Sequence, residues 1–169
     1  MSQSAKITDY FTPLNQGQPS TTTFPIEGRD YTLHFDGGSR GNPGPGGCGW
    51  VIKKGDAEIY ADSAPLGECT NNYAEYKALE HGLKTALDKG YNRLAVYGDS
   101  ILVINQVTGV WQCNAPKLLP ILNTVNQLKS NFEKIEFTHI MRNQNKRADA
   151  LANEAMDIQK ITRKSVSYH

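Results

Sequence analysis

The stretch from residue 31 to residue 47 constrains the fold most. Tyr31, Thr32, Leu33, His34 and Phe35 carry aromatic and β-branched side chains in alternation, which predicts a strand. Asp36 stands where that strand is expected to end. Gly37, Gly38, Ser39, Arg40, Gly41, Asn42, Pro43, Gly44, Pro45, Gly46 and Gly47 follow, a run that reads as a turn or tight loop. A carboxylate at a strand end, beside backbone that a ligand can approach closely, suits a metal site facing a bulky anion. The same residues suit an ordinary hairpin in which Asp36 caps the turn. Both readings are open on this stretch alone, and acidic positions further along bear on the choice.

After the first strand, residues 48–54 and 57–64 read as strands around the hairpin signal Lys54-Gly55-Asp56. Tyr76, Leu79, Leu83, Ala86 and Leu87 recur at helical spacing and predict an amphipathic helix over 73–89. Thr70 or Asn71 supplies the N-cap and Gly90 the stop. Residues 93–97 form a short strand ending at Gly98 and Asp99, and 100–107 a brief helix. Leu118, Leu119, Leu122, Val125 and Leu128 mark a helix over 116–129, residues 135–141 a strand, and 145–158 a last helix. Three hairpin-linked strands followed by alternating units imply an α/β fold. Its five-stranded mixed sheet has three antiparallel strands, then two parallel ones, with helices on both faces.

Residues 1–29 have a different character, with linker composition from Leu14 to Pro25. The domain division is therefore a flexible tail over 1–29, a folded domain over 30–158 and a basic C-terminal tail over 159–169. At 169 residues the chain can bury a sizeable core. Its net charge of +1 is low for a nucleic-acid binder that relies on a basic surface, so local contacts or a partner must do that work. Cys48, Cys69 and Cys113 are odd in number and lack a CxxC pairing, which argues against a disulfide framework or structural zinc and for an intracellular protein, nuclear or cytoplasmic according to source. No apolar run approaches a membrane span, and no signal-peptide core precedes the domain.

Beyond Asp36, Asp99 ends the fourth strand, where ligands gather in such sheets. Glu75 lies in the first turn of the first long helix, off the Tyr76, Leu79 and Leu83 stripe, and Asp149 lies early in the last helix. Each has a plain explanation. Glu75 and Asp149 suit helix starts, and Asp99 suits an N-cap. Gathered together, four carboxylates would repel, and hard divalent cations with oxygen ligands would relieve the repulsion.

The sequence resembles type 1 ribonuclease H. The resemblance rests on residues 35–47, on Thr70-Asn71-Asn72-Tyr73-Ala74-Glu75, on Tyr97-Gly98-Asp99-Ser100 and on Arg142 through Asn153, in that order. It implies a ribonuclease H-like fold and endonucleolytic cleavage of the RNA strand of an RNA–DNA hybrid with two Mg²⁺ ions, Mn²⁺ able to substitute. Asp36 would bridge both ions, Glu75 and Asp99 would complete one site, and Asp149 would hold the other. Gly37, Gly38, Asn71 and Asn72 match positions that meet the minor groove of the hybrid, with Gln106 as a further candidate. An A-like duplex shows its 2′-hydroxyls there. Thr70 matches a contact to DNA phosphate. Many relatives carry a histidine in the loop before the last aspartate. Here residues 141–148 have none, and Arg142 is the nearest phosphate-facing candidate. His34 and His139 read as structural. The basic protrusion of some relatives is also missing, leaving Trp111 as the obvious contact between 107 and 116.

In the tail, Ile7, Tyr10 and Phe11 resemble the motif that docks in sliding clamps of the proliferating-cell nuclear antigen type, although Ser4 holds the slot that usually carries Gln. The reading is a stand-alone monomeric nuclease, possessing a clamp-binding segment at 4–11. The alternatives are a non-catalytic module that keeps the fold, a domain of a reverse transcriptase, or a DNA nuclease of the wider superfamily.

Overall fold

The computed structural model describes residues 31–167, with side chains described over 31–158. The clamp-like segment lies outside these residues. The elements run β1 (Tyr31–Ser39), β2 (Gly44–Lys54), β3 (Ala57–Cys69), α1 (Asn71–Asp88), β4 (Arg93–Gly98), α2 (Ile101–Val107), α3 (Leu119–Lys129), β5 (Lys134–His139) and α4 (Lys146–Ser167). A 3-10 turn at Arg142–Gln144 precedes α4. One five-stranded sheet holds the order β3-β2-β1-β4-β5. β1, β2 and β3 pair antiparallel, and β4 and β5 join in parallel, as the element order predicts. No described helix is long and apolar enough to cross a membrane.

Alternation along β1 assigns the two faces. Leu33 and Phe35 are fully buried in the main core with Tyr76, Leu79 and Leu83 of α1. His34 and Asp36 therefore point to the other face, where α4 lies. The predicted cap at Thr70 is present: its hydroxyl accepts the Tyr73 N–H at 3.2 Å. Ser100 caps α2 in the same way, accepting from the Val103 N–H at 3.2 Å. Asp99 is thus spared a capping role. α4 continues to Ser167, across the start of the expected tail at 159.

The glycine-rich run departs from the sequence reading. It is mostly strand, not loop: Gly37 pairs with Cys48, Gly38 with Gly47, and Ser39 with Gly46. Asp36 is consequently inside β1, opposite Gly49, rather than at its end. The glycines serve close packing. A Cβ at Gly47 would meet Met156 N at 2.6 Å, and one at Gly49 would meet Leu151 Cβ at 2.5 Å and Ala148 O at 2.8 Å. α4 therefore rests almost directly on the β2 backbone. Turn chemistry and close approach both select glycine, and local sequence does not separate them.

Gly49→Ala should consequently destabilise the chain by about 1–3 kcal/mol, read as a lower denaturant midpoint at unchanged m-value. Gly90→Ala tests the contrast. Gly90 has a φ of +79° and open space around it, so only the left-handed backbone penalty of about 1 kcal/mol applies.

Candidate active site

One cleft of about 440 Å³ opens beside Asp36. Its walls come from the ends of β1 and β4, the first turn of α1 and the first three turns of α4. Asp36, Glu75, Asp99 and Asp149 all line it, with Gly37, Gly38, Asn71 and Arg142. Among the described residues, Asp36, Glu75 and Asp99 form a group whose carboxylate oxygens lie within 4.8 Å of one another. Asp149 stands outside that tightest group. Arg142 Nη2 lies 3.6 Å from its Oδ1.

Gly37 allows this convergence. A Cβ there would meet Ala74 O at 2.2 Å and Glu75 N at 2.7 Å. The bare backbone lets the first turn of α1 press against β1, which brings Glu75 up to Asp36. Asp36 is itself only 7% exposed. Its Oδ1 accepts the Gly37 N–H at 3.0 Å.

Such crowding perturbs the carboxyls. Burial, then the neighbouring Asp99 and Asp149, pushes Asp36 up to about 8. Burial, then Asp36 and Asp99, holds Glu75 well above the usual carboxylate range, and Glu75 Oε1 is buried without a hydrogen-bond partner. Asp99 is also raised, chiefly by burial, while the Asn145 amide and the Arg142 guanidinium pull it the other way. The donor set is all oxygen, negative and short of partners. That fits a hard divalent cation.

Asn145 is the residue that sequence reading missed. It is 1% exposed, and its Nδ2 donates to Phe35 O at 2.9 Å, one residue before Asp36. Its own carbonyl accepts the Asp149 N–H at 3.1 Å. One buried residue thus ties β1 to the start of α4 and adjoins Asp99 from β4. Its position as the first residue of the predicted helix is the available signal, but that marks a cap and not a tether.

The remaining candidates divide. Asn71 lines the cleft, and its Oδ1 accepts the Ser39 N–H at 2.8 Å. Thr70 lines a neighbouring groove with Tyr73 and Lys117. Asn72 is exposed on α1 and Gln106 accepts from Tyr76 Oη at 2.6 Å; neither lines the cleft. His34 stacks on Tyr97 at 5.1 Å, and Trp111 is exposed.

A family profile described as "Reverse transcriptase-like" matches residues 34–155. Ribonuclease HI of Halobacterium salinarum is 43% identical over 145 residues, covering 83% of this chain and 73% of that protein. The crystal structure of RNase H1 from that organism superposes with a TM-score of 0.74, covering 76% of this chain and 98% of that one. The bifunctional protein Rv2228c of Mycobacterium tuberculosis is 44% identical over 127 residues, 74% of this chain and 35% of that protein. LC11-RNase H1, solved in complex with an RNA/DNA hybrid, gives 36% identity and a TM-score of 0.71 over 76% of this chain and 97% of that one. With a family profile over most of the chain and a relative matched over 73% of its length in agreement with the fold, the chain belongs to the ribonuclease HI family.

Proposed function

We propose that this chain is an endonuclease that hydrolyses the RNA strand of RNA–DNA hybrids with two divalent cations. The observation that carries the reading is the meeting of Asp36, Glu75, Asp99 and Asp149 in one cleft. Hybrid as substrate is supported by the relative solved with one. Asp36, Glu75 and Asp99 would hold one Mg²⁺, and Asp149, with Asp36, would hold the other. Bound there, the cations supply an activated water and neutralise charge on the leaving 3′-oxygen.

The chain's own groups do the rest. Asn145 fixes the spacing of β1 and α4, and with it the Asp36–Asp149 separation. Asn71 uses its amide oxygen to hold Ser39, which leaves its NH₂ for the minor groove. Arg142 balances Asp149 before substrate arrives and faces phosphate afterwards. Ile7, Tyr10 and Phe11, read from sequence alone, dock a sliding clamp and raise the local concentration of enzyme at replication sites.

Three experiments test this reading. With Mg²⁺ the purified chain should cut the RNA of a hybrid and spare RNA duplex, DNA duplex and single strands. Chelator should stop it, and Asp36→Asn should lower kcat by about 10²–10³-fold. Full activity of Asp36→Asn would refute the assignment. A second test uses pH. Asp36 is raised from 3.8 to about 8 in the folded chain, so between these values the folded state holds a proton that the unfolded state has lost. Stability in chelator should therefore fall as pH rises through that window. Asp36→Asn should flatten the fall and exceed wild type at about pH 8, while Mg²⁺ should restore wild type. Melting curves with and without chelator decide it. Third, Tyr10→Ala with Phe11→Ala should abolish clamp binding in a titration and leave hybrid cleavage intact; equal binding by both proteins would remove the clamp proposal.

A further inference from the structure

A cleft that holds four carboxylates must still admit a polyanion. The cationic side chains lining it are Arg40 and Arg142. Arg142 lies 3.6 Å from Asp149 and already has its role in the reading above. Arg40 stands on the turn between β1 and β2, and that turn is held from several sides. The Arg40 N–H donates to Pro45 O at 2.8 Å. Asn71 Oδ1 accepts the neighbouring Ser39 N–H at 2.8 Å, and Asn42 Oδ1 accepts the Asn71 N–H at 3.0 Å. A Cβ at Gly44 would meet Arg40 O at 2.3 Å, so the turn is also closed sterically. Arg40 therefore has a fixed backbone position at the first turn of α1.

Its side chain has a partner as well. Arg40 Nη2 donates to Asp157 Oδ1 at 2.7 Å, across to α4, where Asn153 and Met156 line the same cleft. The pair is open to water, with side chains 40% and 62% exposed. An exposed pair of this kind adds little stability. It does orient the guanidinium, and it uses one of five N–H donors, leaving the others for an anion.

We propose that Arg40 is a phosphate anchor for the bound nucleic acid, and that Asp157 is the positioning residue that aims it. The inference rests on the hybrid reading above. It explains how a chain of net charge +1 gains a backbone contact beside an acidic centre. Arginine suits this place because its planar fork can keep one carboxylate and still reach a phosphate oxygen.

The test separates an anchor from a simple tether between the turn and α4. Arg40→Ala and Asp157→Ala both break the tether, but only the first removes the cation. Binding of a fluorescent RNA–DNA hybrid is measured by anisotropy over a range of salt, in the full chain carrying Asp36→Asn so that cleavage does not intervene. Arg40→Ala should weaken binding about three- to tenfold and lower the magnitude of the slope of log K against log[salt] by about 0.7–0.9. Asp157→Ala should keep the slope and weaken binding by less than Arg40→Ala does, because the cation stays beside the cleft but is no longer aimed; undiminished affinity would remove the positioning role of Asp157. Arg40→Lys should keep the slope. Equal weakening by Arg40→Ala and Asp157→Ala, or an unchanged slope in Arg40→Ala, would overturn the anchor. If the Asp36→Asn chain binds hybrid no better than DNA duplex, the functional reading fails instead.

Discussion

Repulsion among the acidic side chains in the cleft is the constraint on which the rest of the molecule depends. Asp36, Glu75 and Asp99 are packed closely enough that burial and neighbouring carboxylates raise all three, with Asp149 as the neighbour that acts on Asp99. An unaided chain would relieve such strain by moving its elements apart. It is prevented from doing so by contacts that have no freedom to yield: backbone against backbone at Gly37, and a buried amide at Asn145. The site is consequently built to be uncomfortable when empty of cations, and cation affinity is the return on that discomfort.

Much of this architecture is legible in the residues themselves. The spacing of Tyr76, Leu79 and Leu83 marks α1, and Thr70 caps it as its type suggests, whereas α2 is capped by Ser100 and not by Asp99. The order of hairpins and alternating units gives the sheet. The acidic residues could be named but not joined, because nothing in a single sequence states that the ends of β1 and β4 and the first turns of two helices face one another. The resemblance supplied that link, and the cleft geometry supplies the physical reason.

What the sequence hid has two causes. Glycine carries no side chain, so its role depends wholly on what lies above it; Gly47 looks like part of a loop until Ala155 and Met156 are placed over it, and Gly49 shows no reason to be glycine until Leu151 is. Polar residues in short connections pose the opposite problem. Arg142, Asn143, Gln144 and Asn145 look alike as loop residues, yet Arg142 is largely exposed and Asn145 is sealed. Periodicity cannot sort them, since a 3-10 turn and a helix start share no regular pattern across so few residues.

The glycine seat under α4 has a mechanical implication. Where side chains interdigitate, a helix can shift slightly while rotamers adjust around it. A helix lying on bare strand has no such cushion, and it moves as a rod or not at all. Asp149 sits at one end of that rod and the segment running out to Ser167 forms the other. Force or binding applied to the distal end is therefore transmitted to the carboxylate with little loss, which makes the distal half of α4 a natural handle for anything that needs to speed or slow the enzyme from outside its cleft.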